Sequence, residues 1–214
     1  MQIVDLTRPL NPDTPVVPGD PRVTFNAVAE HETEGYQVSK ICLGSHSGTH
    51  LDVPLHFFPG GHSLSDYALS RFVSQGVVLD VRSAAEGLVD AALLTNRLRQ
   101  NPVKSGEFVL LWTAETAGWL TLDAARLLVD LKVGLVGTDG PSLDLDSSPS
   151  ESADFAIHRL LLGSDVLIAE NLVNLDLLGA GRVRCVFLPL PLTGLDGSPV
   201  RATAWKLETT CQWW

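Results

Sequence analysis

The sequence is short of cysteine, of long apolar runs and of clustered basic residues, and each shortage removes a class of protein. Its three cysteines, Cys42, Cys185 and Cys211, are an odd number with no CxxC spacing. That excludes a disulfide framework and a thiolate zinc knuckle, and it predicts three small buried hydrophobes. No apolar stretch is long enough to span a bilayer, and the opening residues Met1 to Thr7 lack the basic start and apolar run of a signal peptide. The expectation is a soluble, cytoplasmic protein with no membrane partner. Only 15 Lys and Arg stand against 25 Asp and Glu, a formal net charge of −10. The basic residues are scattered and offer no track for a phosphate backbone, so nucleic acid is not an expected partner.

What is present is the material of a well-packed domain. Of 214 residues, 45% are hydrophobic and 19% charged, and no linker or internal repeat interrupts them. Residues 1–214 therefore read as a single domain. Apolar, β-branched runs bounded by turn residues predict strands at Gln2 to Leu6, Gln37 to Leu43, Val77 to Val81, Phe108 to Trp112, Val133 to Val136, Val166 to Ala169, Arg184 to Leu188 and Arg201 to Lys206. Leu and Ala three and four positions apart predict amphipathic helices over Val89 to Arg99 and Leu122 to Leu131. Strand and helix alternate in the middle of the chain, while both ends are strand-rich. The fold class this implies is α/β, a mixed β-sheet flanked by helices.

Three of the six histidines fall in one run, His46-Ser-Gly-Thr-His50-Leu-Asp52-Val-Pro54-Leu-His56. If residues 50–56 are extended, the period of two puts His50, Asp52, Pro54 and His56 on one face and Leu51, Val53 and Leu55 on the other. Pro54 donates no ladder hydrogen bond, which predicts an edge or ending strand. His46 would join from the preceding turn, where Gly48 permits a sharp bend. Imidazoles with a carboxylate suit zinc or manganese, and the absence of thiolates nearby suits a catalytic site rather than a closed structural one. From the residues alone, a metal site and a set of ordinary hydrogen-bonded histidines fit equally well.

The same run resembles the HxGTHxDxPxH signature of the cyclase family, which includes bacterial kynurenine formamidases and isatin hydrolases. The resemblance extends along the chain through Pro18-Gly-Asp-Pro21, Gly137-Thr-Asp-Gly-Pro-Ser142, Glu170-Asn-Leu172 and Gly197-Ser-Pro-Val-Arg201. It implies the family's swivelling β/β/α-like fold and two divalent ions, zinc or manganese. His46, His50 and Asp52 would hold one ion, and Asp52 and Glu170 would bridge to a second that His158 completes. Read by themselves, Glu170 is an ordinary strand-end charge and His158 a helix-surface histidine. His56 resembles the family's proton donor and acceptor; the alternative role is a further metal ligand.

The activity implied is hydrolysis of a small formamide or cyclic amide by a homo-oligomer, dimer or tetramer. Two alternatives remain open: a metal-dependent lyase or cyclase acting beside a carbonyl, and an inactive metal-binding protein. Phe57 is a candidate wall for a substrate ring. In kynurenine formamidases a tryptophan is expected just before the early Pro-Gly turn, and here that position is Val17, which removes most of the stacking surface for N-formylkynurenine. His62 reads as a solvated loop residue, Asp139 as a turn residue capping its own backbone, and the final pair Trp213 and Trp214 as a possible interface cover.

Overall fold

Apart from Gln37 to Leu43, the apolar, β-branched runs supply strands of one large sheet, most of them with side chains buried on both faces. The computed structural model describes residues 2–114, 118–145 and 154–207; Cys211, Trp213 and Trp214 lie outside the described residues. In chain order the elements are β1 (Val4–Asp5), β2 (Thr24–Ala29), α1 (His31–Glu34), β3 (Val38–Cys42), β4 (His50–Asp52), β5 (Val73–Asp80), β6 (Leu88–Val89), α2 (Ala91–Gln100), β7 (Phe108–Trp112), β8 (Trp119–Leu120), α3 (Leu122–Asp130), β9 (Leu135–Thr138), α4 (Ala156–Gly163), β10 (Leu167–Glu170), α5 (Leu175–Leu178), β11 (Gly181–Pro189) and β12 (Gly197–Lys206).

The main sheet runs β1-β12-β11-β5-β7-β9-β10-β4, and β4 also pairs with β12. That last pairing closes a seven-stranded mixed barrel. Strands β5, β7, β9 and β10 are parallel, whereas β11, β12 and β4 join antiparallel. The expected mixed sheet with flanking helices is present, but it is closed rather than open. Of the edge or ending strand read from Pro54, the closure rules out the edge, while the strand does end at Asp52. Both of its edges are paired, to β10 on one side and to β12 on the other. Pro54 lies beyond the ladder and removes nothing from it.

Alternation along the strands divides the core in two. Leu51, Val78, Phe108, Leu110, Leu135, Leu167, Phe187 and Ala202 fill the barrel interior. Their neighbours Val77, Leu79, Val109, Leu111, Val136 and Ile168 face outward against Leu94 and Leu98 of α2, Leu128 of α3 and Leu161 of α4. Burying each such Leu or Phe stabilises the fold by roughly 1.5–3 kcal/mol. Helix α2 is capped by Asp90, which accepts from Leu93 N at 2.7 Å, and α3 by Thr121, which accepts from Ala124 N at 3.2 Å. No local side chain caps α4, whose preceding residue Phe155 is left-handed.

Two parts of the molecule depart from the sequence reading. Strands β2 and β3 form a separate two-stranded ribbon, nearly all of it exposed, and β2 was not expected. Cys42 lies on that ribbon and is exposed, whereas Cys185 is buried inside the barrel as expected. Among the described residues no helix is long and apolar enough to cross a membrane.

Candidate metal centre

The site begins with the register of β4. His50 and Asp52 point to one face and Leu51 to the other, into the barrel interior. His50 lies opposite Glu170 and Asp52 opposite Ile168 of β10. Ile168 belongs to the outward layer, so His50, Asp52 and Glu170 share the outer face. There α4 brings in His158, which is buried and not a helix-surface residue. Gly48 adopts φ +62°, the left-handed turn that delivers His46.

The expected extension of the strand to His56 does not occur. Pro54, with φ fixed near the helical range, opens a 3-10 turn over Pro54–His56, and Val53 N donates to Asp196 O at 3.1 Å. His56 therefore enters from a turn, and its ring packs on His46 with centroids 3.9 Å apart.

Asp52 and Glu170 each divide their two oxygens between two sets of imidazoles. Asp52 Oδ1 lies 2.7 Å from His46 Nδ1 and 3.3 Å from His50 Nε2, while its Oδ2 lies 3.5 Å from His158 Nε2. Glu170 Oε2 lies 3.6 Å from His50 Nε2, and its Oε1 lies 3.2 Å from His158 Nε2. The two carboxylates thus separate a His46/His50 lobe from a His158 lobe. Two ligands ~2.1 Å from one ion stand roughly 3.0–3.4 Å apart, and the donor pairs here, at 2.7 to 3.6 Å, bracket that spacing. His46, Asp52 and His56 form a further triplet close enough to share an ion.

Each imidazole has an acceptor on its other nitrogen. His50 Nδ1 donates to Gly48 O at 2.8 Å, His158 Nδ1 to Asp144 Oδ2 at 2.5 Å and His46 Nε2 to Asp196 Oδ2 at 3.0 Å. These partners set the tautomers, leaving His50 Nε2, His158 Nε2 and His46 Nδ1 as lone pairs facing carboxylate oxygens. Two acceptors tolerate that distance only with positive charge between them, either a proton or a metal ion.

The electrostatics agree. Burial opposes charge on His46, but Asp52 and Asp196 outweigh it and push its pKa up to about 10. Burial is likewise overcome at His50 by Asp52 and Glu170, and at His158 by Glu170, Asp144 and Asp52, so both are raised. Asp52, despite its own burial, is held well below the usual carboxylate range by His46 and His50. His56 moves the other way: its burial, with the charges of His46 and His158, outweighs Asp52 and Asp196 and lowers it. A field that retains extra protons on three imidazoles is the field that favours divalent cations.

The remaining candidates are scattered around this centre. Phe57 lines it, its ring 4.6 Å from His56 and 5.3 Å from His158. Val17 sits in a turn closed by Asp20 N on Val17 O and is 46% exposed. His62 is exposed beside Tyr67. Asp139 is buried and accepts from the backbone and hydroxyl of Thr113, so it ties two strand ends together rather than capping its own turn. Two carboxylates escaped the sequence reading. Asp144 holds His158, and Asp196 holds His46 and approaches His56 Nδ1 at 3.4 Å. Their only signal was position, Asp196 directly before Gly197-Ser-Pro-Val-Arg201 and Asp144 two residues after the loop ending at Ser142.

Known proteins are similar to this chain along nearly its whole length. The Cyclase family model matches residues 4–145. A kynurenine formamidase from Salinibacter ruber is 33% identical over 214 residues, covering 94% of this chain and 96% of that protein. One from Bacillus cytotoxicus is 31% identical over 212 residues, covering 93% and 95%. The solved structure of isatin hydrolase A from Labrenzia aggregata, bound to benzyl benzoate, matches with a TM-score of 0.83 at 24% identity, over 95% of this chain and 93% of that one.

Proposed function

This chain belongs to the cyclase family, and from that membership and the two-lobed donor set we propose that it is a single-domain, metal-dependent hydrolase of a small formamide or cyclic amide. The observation that carries the reading is the division of the Asp52 and Glu170 oxygens between His46/His50 and His158. His46, His50, Asp52 and Glu170 would hold one ion, and Asp52, Glu170 and His158 a second, with zinc and manganese both suited to the nitrogen and oxygen donors. When bound, such ions lower the pKa of a water from ~15.7 towards ~7 and polarise a carbonyl oxygen.

The chain's own groups supply positioning and proton transfer. His56, lowered by its surroundings and half-buried, is the side chain that takes a proton from the attacking water and returns it to the leaving nitrogen. Phe57 offers an apolar face beside it. Val17 presents a small aliphatic group where an aromatic platform was expected, which favours substrates smaller than N-formylkynurenine.

The assembly is a homo-oligomer, a dimer or tetramer. Supporting this, the β2–β3 ribbon exposes Phe25, Val28, Val38 and Ile41, and a two-stranded ribbon is marginal in water without a cover.

The test is hydrolysis of aryl formamides, isatin and N-formylkynurenine by metal-stripped protein with and without added zinc or manganese. Turnover of one compound restored by metal is the expected result. Equal turnover by stripped and loaded protein would refute metal dependence, and silence across the panel with metal bound would refute the substrate class.

A further inference from the structure

The junction between Asp196 and β12 is built closely around two histidines of the site. Its backbone is fixed by Val53 N, which donates to Asp196 O, and Gly197 pairs with Asp52. A Cβ at Gly197 would fall 2.7 Å from His46 Cε1, so the missing side chain leaves room for that ring. The preceding carboxylate then turns back over it. One oxygen, Asp196 Oδ2, accepts from His46 Nε2 at 3.0 Å and lies 3.4 Å from His56 Nδ1. Among the described residues, no other carboxylate comes within ion-pair distance of His56. Asp52 and Glu170 spend their oxygens on the ion-facing nitrogens, whereas Asp196 meets His46 and His56 at nitrogens on the far side of their rings, with Ser45 as a further hydrogen-bond partner.

We propose that Asp196 is a positioning residue for His56: its carboxylate holds the Nδ1–H tautomer, and so leaves Nε2 as the nitrogen that exchanges protons with the substrate. This rests on the hydrolase reading, in which His56 is the proton carrier. One shared oxygen also fixes where His56 stands relative to the ion-facing His46, whose ring is 3.9 Å away. Geometry of that kind is what an outer carboxylate supplies to an imidazole, and its removal costs roughly 10–100-fold. No bond is made or broken at Asp196 itself; it keeps its hydrogen bond from His46 and its 3.4 Å approach to His56.

A double-mutant cycle joined to a spectroscopic readout tests the proposal. Asp196→Asn, His56→Gln and the double variant are loaded with zinc, their zinc content is measured, and kcat and KM are determined on the best substrate of the panel. Imidazole ¹⁵N spectra are recorded in mildly alkaline buffer, with the His56 signals identified by their loss in His56→Gln. The expected result is a roughly 10–100-fold drop in kcat for Asp196→Asn with KM and zinc content kept. That drop should be absent in the His56→Gln background, and the His56 signals should shift from the Nδ1–H tautomer to a mixture. An equal drop in both backgrounds, or loss of zinc, would overturn the proposal and assign Asp196 to holding His46. Should the wild-type protein hydrolyse nothing, the hydrolase reading fails by itself, and an unchanged His56 tautomer in Asp196→Asn overturns the positioning role separately.

Discussion

Replacing Asp144 by asparagine should weaken both a helix and the metal centre, because one buried carboxylate serves both. Its Oδ1 accepts from Ile157 N at 2.9 Å, and its Oδ2 accepts from His158 N at 3.0 Å and from His158 Nδ1 at 2.5 Å. It thereby caps α4 from a distant loop and fixes the tautomer of His158. Asparagine keeps one acceptor oxygen and replaces the other with an NH₂ donor. The best orientation leaves the oxygen on the two His158 donors and sets NH₂ against Ile157 N–H. Two donors then face each other and the Ile157 N–H loses its acceptor, at a cost of about 1–3 kcal/mol or more. For a chain of this size that lowers Tm by about 2–4 °C for each kcal/mol. Loss of the negative charge behind His158 should in addition weaken metal binding roughly 10–100-fold. Thermal melting of the stripped protein measures the first effect, and zinc titration calorimetry the second. Wild-type Tm together with metal affinity within about threefold of wild type would refute the reasoning, since outer-shell losses are expected to exceed that. A lower Tm with unchanged affinity would reduce Asp144 to a helix cap.

Two further outcomes follow from contacts away from the centre. Glu107 is buried, which raises its pKa, but the Arg182 guanidinium and Lys104 N–H outweigh this and hold its carboxyl below the ordinary 4.5. A depressed folded value means stability that is present above the ordinary value and lost as pH falls below it. Glu107→Gln should therefore lower Tm at neutral pH, by the equivalent of about 1 kcal/mol, and the difference from wild type should close well below pH 4.5; a difference that persists in acid would contradict the ion-pair origin. On the ribbon, Phe25 and Ile41 are directly cross-paired and exposed, so Ile41→Asp should shift the protein to monomer in sedimentation with its melting little changed. An unaltered assembly would remove the ribbon from the interface.

The sequence made regular strands legible wherever side chains alternate or run apolar, as in Phe108–Trp112, whose limits are those expected. It also exposed the donors that cluster along the chain, His46, His50 and Asp52, because local spacing carries over into local geometry. Pairing across the barrel has no such trace. That β4 closes the sheet depends on partners near residues 168 and 197, and an extended reading to His56 ignored how readily Pro54 begins a tight turn. Asp144 and Asp196 were invisible for the same reason. Each is a single carboxylate in a loop, 14 and 150 residues from the histidine it serves, and a lone loop aspartate is ordinarily a turn former.

The strand that carries His50 and Asp52 is also the seam of the barrel, and this sets an order of events in biogenesis. Its partners in β10 and β12 lie more than half the chain away in sequence. A nascent chain that has exposed the histidine-rich run but not yet its last quarter owns some of the ligands and none of the enclosure. It can neither seal the sheet nor hold the donors at spacing, so the centre cannot be assembled before β10 and β12 have been made, and a truncation that removes β12 should yield a protein that is both open and metal-poor.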